Sequence, residues 1–202
     1  ILLFALISFI DCWTFSMATS STSTFSLVKL TVAIAGLILF SKVVIFPNST
    51  FLHAAVTAPH LVWPKTVNIL EPAKEATIYD PTCGSGGMLI EAKNYVESRY
   101  GDASRLSFAG QESNGTTWSL CKMNMLFHDI FDAEILQGDT VADPQHVENG
   151  ELKRFDIVIA NPPFSENYSD IKNHRDRFHF WMPKKKKADF MFVQHMVSVL
   201  KD

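Results

Sequence analysis

From residue 66 onward the apolar positions recur with two distinct periods. Four short runs, 76–80 (ATIYD), 105–112 (RLSFAGQE), 133–139 (AEILQGD) and 154–161 (RFDIVIAN), are too short for helices and carry branched or aromatic residues, so they predict strands. Between and after them, apolar residues return every three or four positions. Residues 88–100 place Leu89, Ala92, Tyr95 and Val96 on one helical face, residues 116–130 carry Leu120, Met123, Met125 and Phe127 and predict a buried helix, and residues 187–200 predict a last helix. Strand and helix alternate, which predicts an α/β domain with a largely parallel sheet.

The first 56 residues follow no such rhythm. They are low in charge, rich in Ser and Thr (SSTSTFS at 20–26), and contain apolar runs at 1–10 and 30–40. The stretch 27–46 approaches the roughly 20 residues of a bilayer span, but Lys29 and Lys42 lie inside it, so a membrane helix is allowed there and not favoured. The organisation expected is therefore an apolar, Ser/Thr-rich segment at 1–56 and a catalytic domain at 57–202. The chain starts at Ile1 and stops just after an apolar periodic segment, so both ends look cut and the sequence reads as a fragment.

Composition narrows the chemistry only slightly. With 47% hydrophobic residues among 202, a substantial core is affordable, and a net charge of −3 does not announce a nucleic-acid binder, so such contact would need a local basic patch. The three cysteines, Cys12, Cys83 and Cys121, have neither metal-ligand spacing nor disulfide-scaffold density, which predicts free thiols in a reducing compartment and no zinc site. His128, His174, His179 and His195 show no ligand spacing either, so no metal is expected.

In doubly wound sheets ligands bind beyond the carboxyl ends of the strands. All four predicted strands end in polar or glycine-rich punctuation: DPTCGSGG (80–87), QES (111–113), GDT (138–140) and NPPF (161–164). Gly84, Gly86 and Gly87 allow a tight turn and a close backbone approach, yet the spacing is neither a dinucleotide fingerprint nor a phosphate loop, and it lacks a lysine. Asp80 would repel a phosphate and suits an amino or sulfonium group. Glu112 stands where an acidic residue accepts from ribose hydroxyls, the alternative being a solvated carboxylate. Asp139 could accept from an adenine amine or could cap a turn with Gly138.

The fourth ending is the most specific. Pro162 and Pro163 fix two φ angles, so the Asn161 amide oxygen and the Pro162 carbonyl form a rigid pair of acceptors suited to an exocyclic NH2. Such an amine is conjugated and a poor nucleophile. Two acceptors draw its hydrogens from the ring plane, localise the lone pair and aim it at an electrophilic carbon. Phe164 then offers a face on which an extruded base can stack.

With these motifs in hand, residues 57–202 resemble the modification subunit of type I restriction-modification systems, an adenine-N6 DNA methyltransferase family that uses S-adenosyl-L-methionine. DPTCGSGGMLIEA resembles its cofactor loop, GQESNGTTWSLCKMNMLFH its acidic segment, and GDT, FDIVIANPPFS and KKKADFMFVQHM the blocks that follow in order. The resemblance implies a Rossmann-like methyltransferase sheet. It also implies that Asp80, Pro81, Thr82, Cys83, Gly84, Ser85 and Gly86 embrace the methionine part of the cofactor, Glu112 its ribose and Asp139 its adenine. Asn161, Pro162, Pro163 and Phe164 then hold the target adenine. Double-stranded DNA, separate specificity and restriction subunits, and a cytoplasmic location are implied with it.

This sequence departs from the family in two places. Where the family has an aromatic-Thr-Pro-Arg segment over the methionine end, VTAPHLVWPK (56–65) keeps Pro59 but has Ala58 and His60, a difference that bears on cofactor affinity. The family's last strands would lie beyond Asp202, so the fourth strand is expected to keep an unpaired edge. The lysine run 183–187 could touch the DNA backbone or simply be solvated. The same acceptor pair would also serve a methyltransferase acting on a protein glutamine or an RNA base, and an inactive fragment that binds partner subunits is the reading outside enzymes.

Overall fold

The structure, a computed structural model, describes residues 67–68, 70–163, 167–179 and 187–201, and the backbone of residues 43–45. All of these lie in one compact unit, Ser41–Asp202. Phe164, the 56–65 segment, residues 183–186 of the lysine run, and everything expected of 1–56 apart from 43–45 fall outside the described residues. Among the described residues no helix is long and apolar enough to cross a membrane.

The four predicted strands form as β2 (Thr77–Asp80), β3 (Ser107–Glu112), β4 (Glu134–Gln137) and β7 (Ile157–Ala160), joined by an edge strand β1 (Val43–Ile45). The five-stranded sheet runs β1-β7-β2-β3-β4 with every neighbouring pair parallel, as the alternating pattern predicts. A two-stranded antiparallel ribbon, β5 (Val147–Glu148) and β6 (Glu151–Leu152), is separate. Asn149 and Gly150 make its turn with φ of 53° and 85°, the left-handed pair that a two-residue hairpin requires.

One expectation is corrected at the sheet's edge. β7 does not keep an unpaired side: Val43, Val44 and Ile45 pair with Val158, Ile159 and Ala160. The physical reason is that β7 is buried along its whole length, where unpaired backbone groups are costly, and a β-branched run is a fitting partner for it.

Among the described residues three α-helices cover the sheet: α1 (Gly87–Tyr100), α2 (Gly115–Phe127) and α3 (Asp189–Ser198). Alternation along the strands divides the side chains between two faces. Ile78, Phe108, Ile135, Ile157 and Ile159 share a core with Leu89 and Val96 of α1 and Cys121 and Met125 of α2. Each fully buried aliphatic side chain of this kind contributes about 1.5–3 kcal/mol. Tyr79, one residue along from Ile78, faces the other way. It stacks on Phe155 with ring centroids 4.5 Å apart and meets His146 and His195 edge-on.

α2 is buried differently from the expectation. Leu120, Met123 and Phe127 are 48%, 51% and 76% exposed, and only Met125 of the four predicted residues is buried. The inward stripe is Cys121 and Met125, one turn apart, with Trp118 packed beside them and its indole N–H donating to the Ile135 carbonyl at 2.9 Å. Those sulfur side chains lie directly under the glycine loop: a Cβ at Gly86 would stand 2.4 Å from Met125 Cε and 2.9 Å from Cys121 Sγ.

Candidate active site

The carboxyl ends of β2, β3, β4 and β7 open onto one cleft of about 470 Å³. Pro81 and Thr82 line it after β2, Glu112 at the end of β3, Asp139 after β4, and Asn161, Pro162 and Pro163 after β7. Residues spread over more than 80 positions of sequence thus meet because parallel strands all end on the same side.

The remaining predicted residues support this wall. Gly86 is the residue before α1 with φ of 84°, a left-handed conformation that strains any side chain and that Met125 leaves no room for. The loop it closes is tied to its neighbours by the backbone. Cys83 N–H donates to the Gln111 carbonyl at 3.1 Å, Gly86 N–H to the Cys83 carbonyl at 2.8 Å, and Asn124 Nδ2 to the Ser85 carbonyl at 2.9 Å. Cys83 points away from the cleft into the core, its Sγ 3.8 Å from Cys121 Sγ, and both are free thiols. Their hydrogen bond, followed by burial, pushes the Cys83 thiol up, so it stays protonated and serves packing.

Glu112 joins two of the four strand ends. Its Oε2 accepts from Gly84 N–H at 3.1 Å and its Oε1 from Asn114 N–H at 2.8 Å, while Asn114 Oδ1 caps α2 by accepting from Thr116 and Thr117 N–H. A carboxylate has room for further donors beyond these. Asp139 does cap a turn: its Oδ1 accepts from Val141 N–H at 2.9 Å and Ala142 N–H at 3.0 Å. Both of those bonds fall on one oxygen.

Three polar atoms at or just behind the cleft are buried without a hydrogen-bond partner, Thr82 Oγ1, Asp80 Oδ2 and Asn161 Oδ1, Asp80 itself standing behind the cleft lining. Asp80 is 1% exposed; its Oδ1 accepts from Thr82 N–H at 2.9 Å, and its Oδ2 is buried with no hydrogen bond. The Asn161 amide oxygen is likewise buried and unpartnered. A buried acceptor left unsatisfied costs about 1–3 kcal/mol. Burial pushes the Asp80 carboxyl up to about 7, against the bond from Thr82 and with help from the nearby Glu112 charge. A cation or donor arriving at Oδ2 would relieve that cost.

Several contributors lie outside the predicted set. Thr140 donates its hydroxyl to the Pro81 carbonyl at 2.5 Å, and Arg177, 3% exposed, donates to the Thr140 and Val141 carbonyls. Gln111 is fully buried and clasps the 143–145 loop, accepting from Gln145 N–H at 2.9 Å and donating to the Asp143 carbonyl at 3.1 Å. Tyr168 and Phe192 give the cleft an apolar wall, and a backbone bridge between Asn167 and Lys187 holds that wall's two segments together. Behind it, the Tyr79 hydroxyl stands 3.3 Å from His195 Nε2. Burial drives the tyrosine up and the histidine down, so both are neutral at neutral pH. Thr140 belongs to a motif visible in the sequence, whereas Arg177 lies in a stretch that carries no motif.

Comparison with known proteins agrees with this geometry. The N-6 DNA methylase family model matches residues 55–202. The chain is similar to the type I restriction enzyme HindI methylase subunit of Haemophilus influenzae, 33% identical over 134 residues that make up 65% of this chain and 29% of that protein. It is 35% identical over 143 residues to the MjaVII methylase subunit of Methanocaldococcus jannaschii, covering 65% of this chain and 24% of that one. The solved type I restriction-modification methyltransferase subunit of Streptococcus thermophilus aligns with a TM-score of 0.58 at 33% identity, over 70% of this chain and 30% of that structure. The fold is therefore the Rossmann-like methyltransferase sheet that the motifs imply, and the chain spans between 24% and 30% of the length of these relatives.

Proposed function

Because this chain belongs to the N-6 DNA methylase family, we propose that its cleft carries the methyl-transfer centre of an adenine-N6 DNA methyltransferase in a type I restriction-modification system. The observation that carries the reading is the pair of buried, unpartnered acceptors, Asp80 Oδ2 and Asn161 Oδ1, at the carboxyl ends of the neighbouring strands β2 and β7.

The residues present fit S-adenosyl-L-methionine. The unpartnered Asp80 oxygen asks for a cationic or donor group, the backbone at Gly84 and Gly86 presents no side chain, and Glu112 and Asp139 follow on the next two strands. When bound, the cofactor supplies an electrophilic methyl group on a sulfonium. Asp80 through Gly86 would hold its methionine part, Glu112 its ribose and Asp139 its adenine amine.

Asn161 Oδ1 and the Pro162 carbonyl accept the two hydrogens of the target amine. Pro163 holds that carbonyl in place, since its ring fixes φ. The acceptors strengthen as the amine becomes tetrahedral, so they favour the transition state over the ground state. Phe164 follows directly in sequence and is assigned the stacking face. No covalent enzyme intermediate is required. Double-stranded DNA is the substrate, specificity and restriction subunits are the partners, and the location is cytoplasmic.

Methyl-labelled cofactor incubated with duplex DNA, RNA and protein in parallel tests the proposal. Label recovered as N6-methyladenine in DNA is the expected result; label on protein or RNA alone sinks it.

A further inference from the structure

The loop after β4 is held between two opposite charges that never touch. The peptide unit joining Thr140 to Val141 gives its carbonyl to Arg177 Nη2 at 3.0 Å and its N–H to Asp139 Oδ1 at 2.9 Å. The next unit repeats the arrangement: the Val141 carbonyl accepts from the same Nη2, and the Ala142 N–H donates to the same Oδ1 at 3.0 Å. Two successive peptide dipoles therefore point their negative ends at a guanidinium and their positive ends at a carboxylate. Charge-assisted hydrogen bonds of this kind polarise the groups between them and are stronger than neutral ones.

Arg177 also packs over the Phe178 ring, its guanidinium carbon 4.3 Å from the ring centroid. It is buried at 3% exposure, and among the described residues no carboxylate pairs with it directly and its Nε and Nη1 have no hydrogen-bond partner. Burial lowers its pKa only to about 10, so it stays charged at neutral pH. A buried cation with two unmet donors is a cost to the folded state.

We infer that Arg177 is a positioning residue for Asp139, acting through the two peptide groups to commit Oδ1 to the turn and leave Oδ2 to read the purine amine of the bound nucleoside. The inference rests on the cofactor reading above and adds to it the residue that sets purine selectivity. Thr140 extends the linkage to the cofactor loop through its bond to the Pro81 carbonyl.

The test compares S-adenosylhomocysteine with S-inosylhomocysteine, in which the purine amine is replaced by a carbonyl oxygen that a carboxylate repels. Binding of each to the chain is measured by calorimetry. The wild type should prefer the adenosyl ligand by about tenfold or more, as sites built around one hydrogen bond do. Arg177→Met should bring the ratio to about twofold, and Arg177→Lys, which keeps a charged donor, should restore most of it. Should Arg177→Met not fold, Arg177→Gln takes its place: it is shorter and uncharged, so it loses both carbonyl contacts and should likewise bring the ratio to about twofold. Equal loss of affinity for both ligands with the wild-type ratio intact would overturn the inference, since a purely structural residue does that. A wild type that binds both ligands without preference overturns it too, whereas a wild type that binds neither overturns the cofactor reading and this inference with it.

Discussion

Two aspartates at opposite ends of the same pair of strands show how the molecule divides its labour. At the amino end, Asp156, just before β7, gathers three donors on one oxygen. Its Oδ2 accepts from Thr77 N–H at 2.9 Å, Thr77 Oγ1 at 2.6 Å and Lys201 Nζ at 3.0 Å, and its own N–H returns a bond to Thr77 Oγ1. At the carboxyl end, Asp80 has a single backbone donor on one oxygen and no hydrogen bond on the other, with the Thr82 hydroxyl beside it as the one side chain that favours its charged form. Partial burial pushes Asp156 up, but the Thr77 bonds and the Lys201 charge outweigh it and hold it at about 2; burial drives Asp80 to about 7. One end of the sheet is closed by its own hydrogen bonds, and the other is left short of donors at the place where four strand ends meet.

Removing the second unpartnered acceptor should have the largest effect. If Asn161 serves the target amine as proposed, Asn161→Ala takes away one of its two acceptors and is expected to lower methyl transfer by about 10³-fold with cofactor affinity within twofold of wild type. Parallel transfer and binding assays check this; transfer surviving the change breaks the comparison at its functional end.

Gly86→Ala comes next. It places a Cβ at φ of 84° and 2.4 Å from Met125 Cε, so it should cost about 1–3 kcal/mol in a denaturant melt and weaken cofactor binding with it. If the variant melts like the wild type, the loop is not held as described.

At the amino end, Asp156→Ala should cost about 1 kcal/mol, visible as a lower melting midpoint, and leave binding in the cleft untouched. The pH dependence separates the ends further. Asp156 has a folded pKa below its unfolded value, so its contribution is present above about pH 4 and is lost as pH falls toward 2. Asp80 has the opposite sign: its raised folded pKa means that the free chain loses stability as pH rises from about 4 through about 7. Melting midpoints of Asp156→Ala and Asp80→Ala against pH would expose the crossing.

How much of this was legible in the sequence follows from the same contrast. The strands and α1 were, because burial on a sheet imposes its period on the side chains, and the DPTCGSGG and NPPF endings were, because glycine and proline announce backbone geometry by themselves. α2 was misread, since its inner stripe consists of Cys121 and Met125 while larger apolar residues such as Phe127 face outward. The Asn149–Gly150 turn carries a hairpin signal of its own, and β1 is a three-residue stretch of a longer apolar run that Pro47 and Asn48 close only beyond Phe46. Arg177 had no local signal at all. Its role depends on where a distant loop folds, and no spacing rule connects residue 177 to the peptide groups at 140–142.

The central claim is that Asp80 is kept short of donors for the sake of a bound cation, and one pair of proteins tests it. Wild type and Asp80→Asn are titrated with S-adenosyl-L-methionine by calorimetry at pH 6 and pH 8 and melted without ligand at pH 8. The wild type should bind about tenfold more tightly at pH 8 than at pH 6, as ionisation of a carboxyl near 7 requires. Asp80→Asn should bind more weakly, show no such dependence, and melt no lower than wild type. An asparagine variant that melts lower and binds the cofactor as tightly as wild type at both pH values would show that Asp80 serves the fold alone, and would contradict the account.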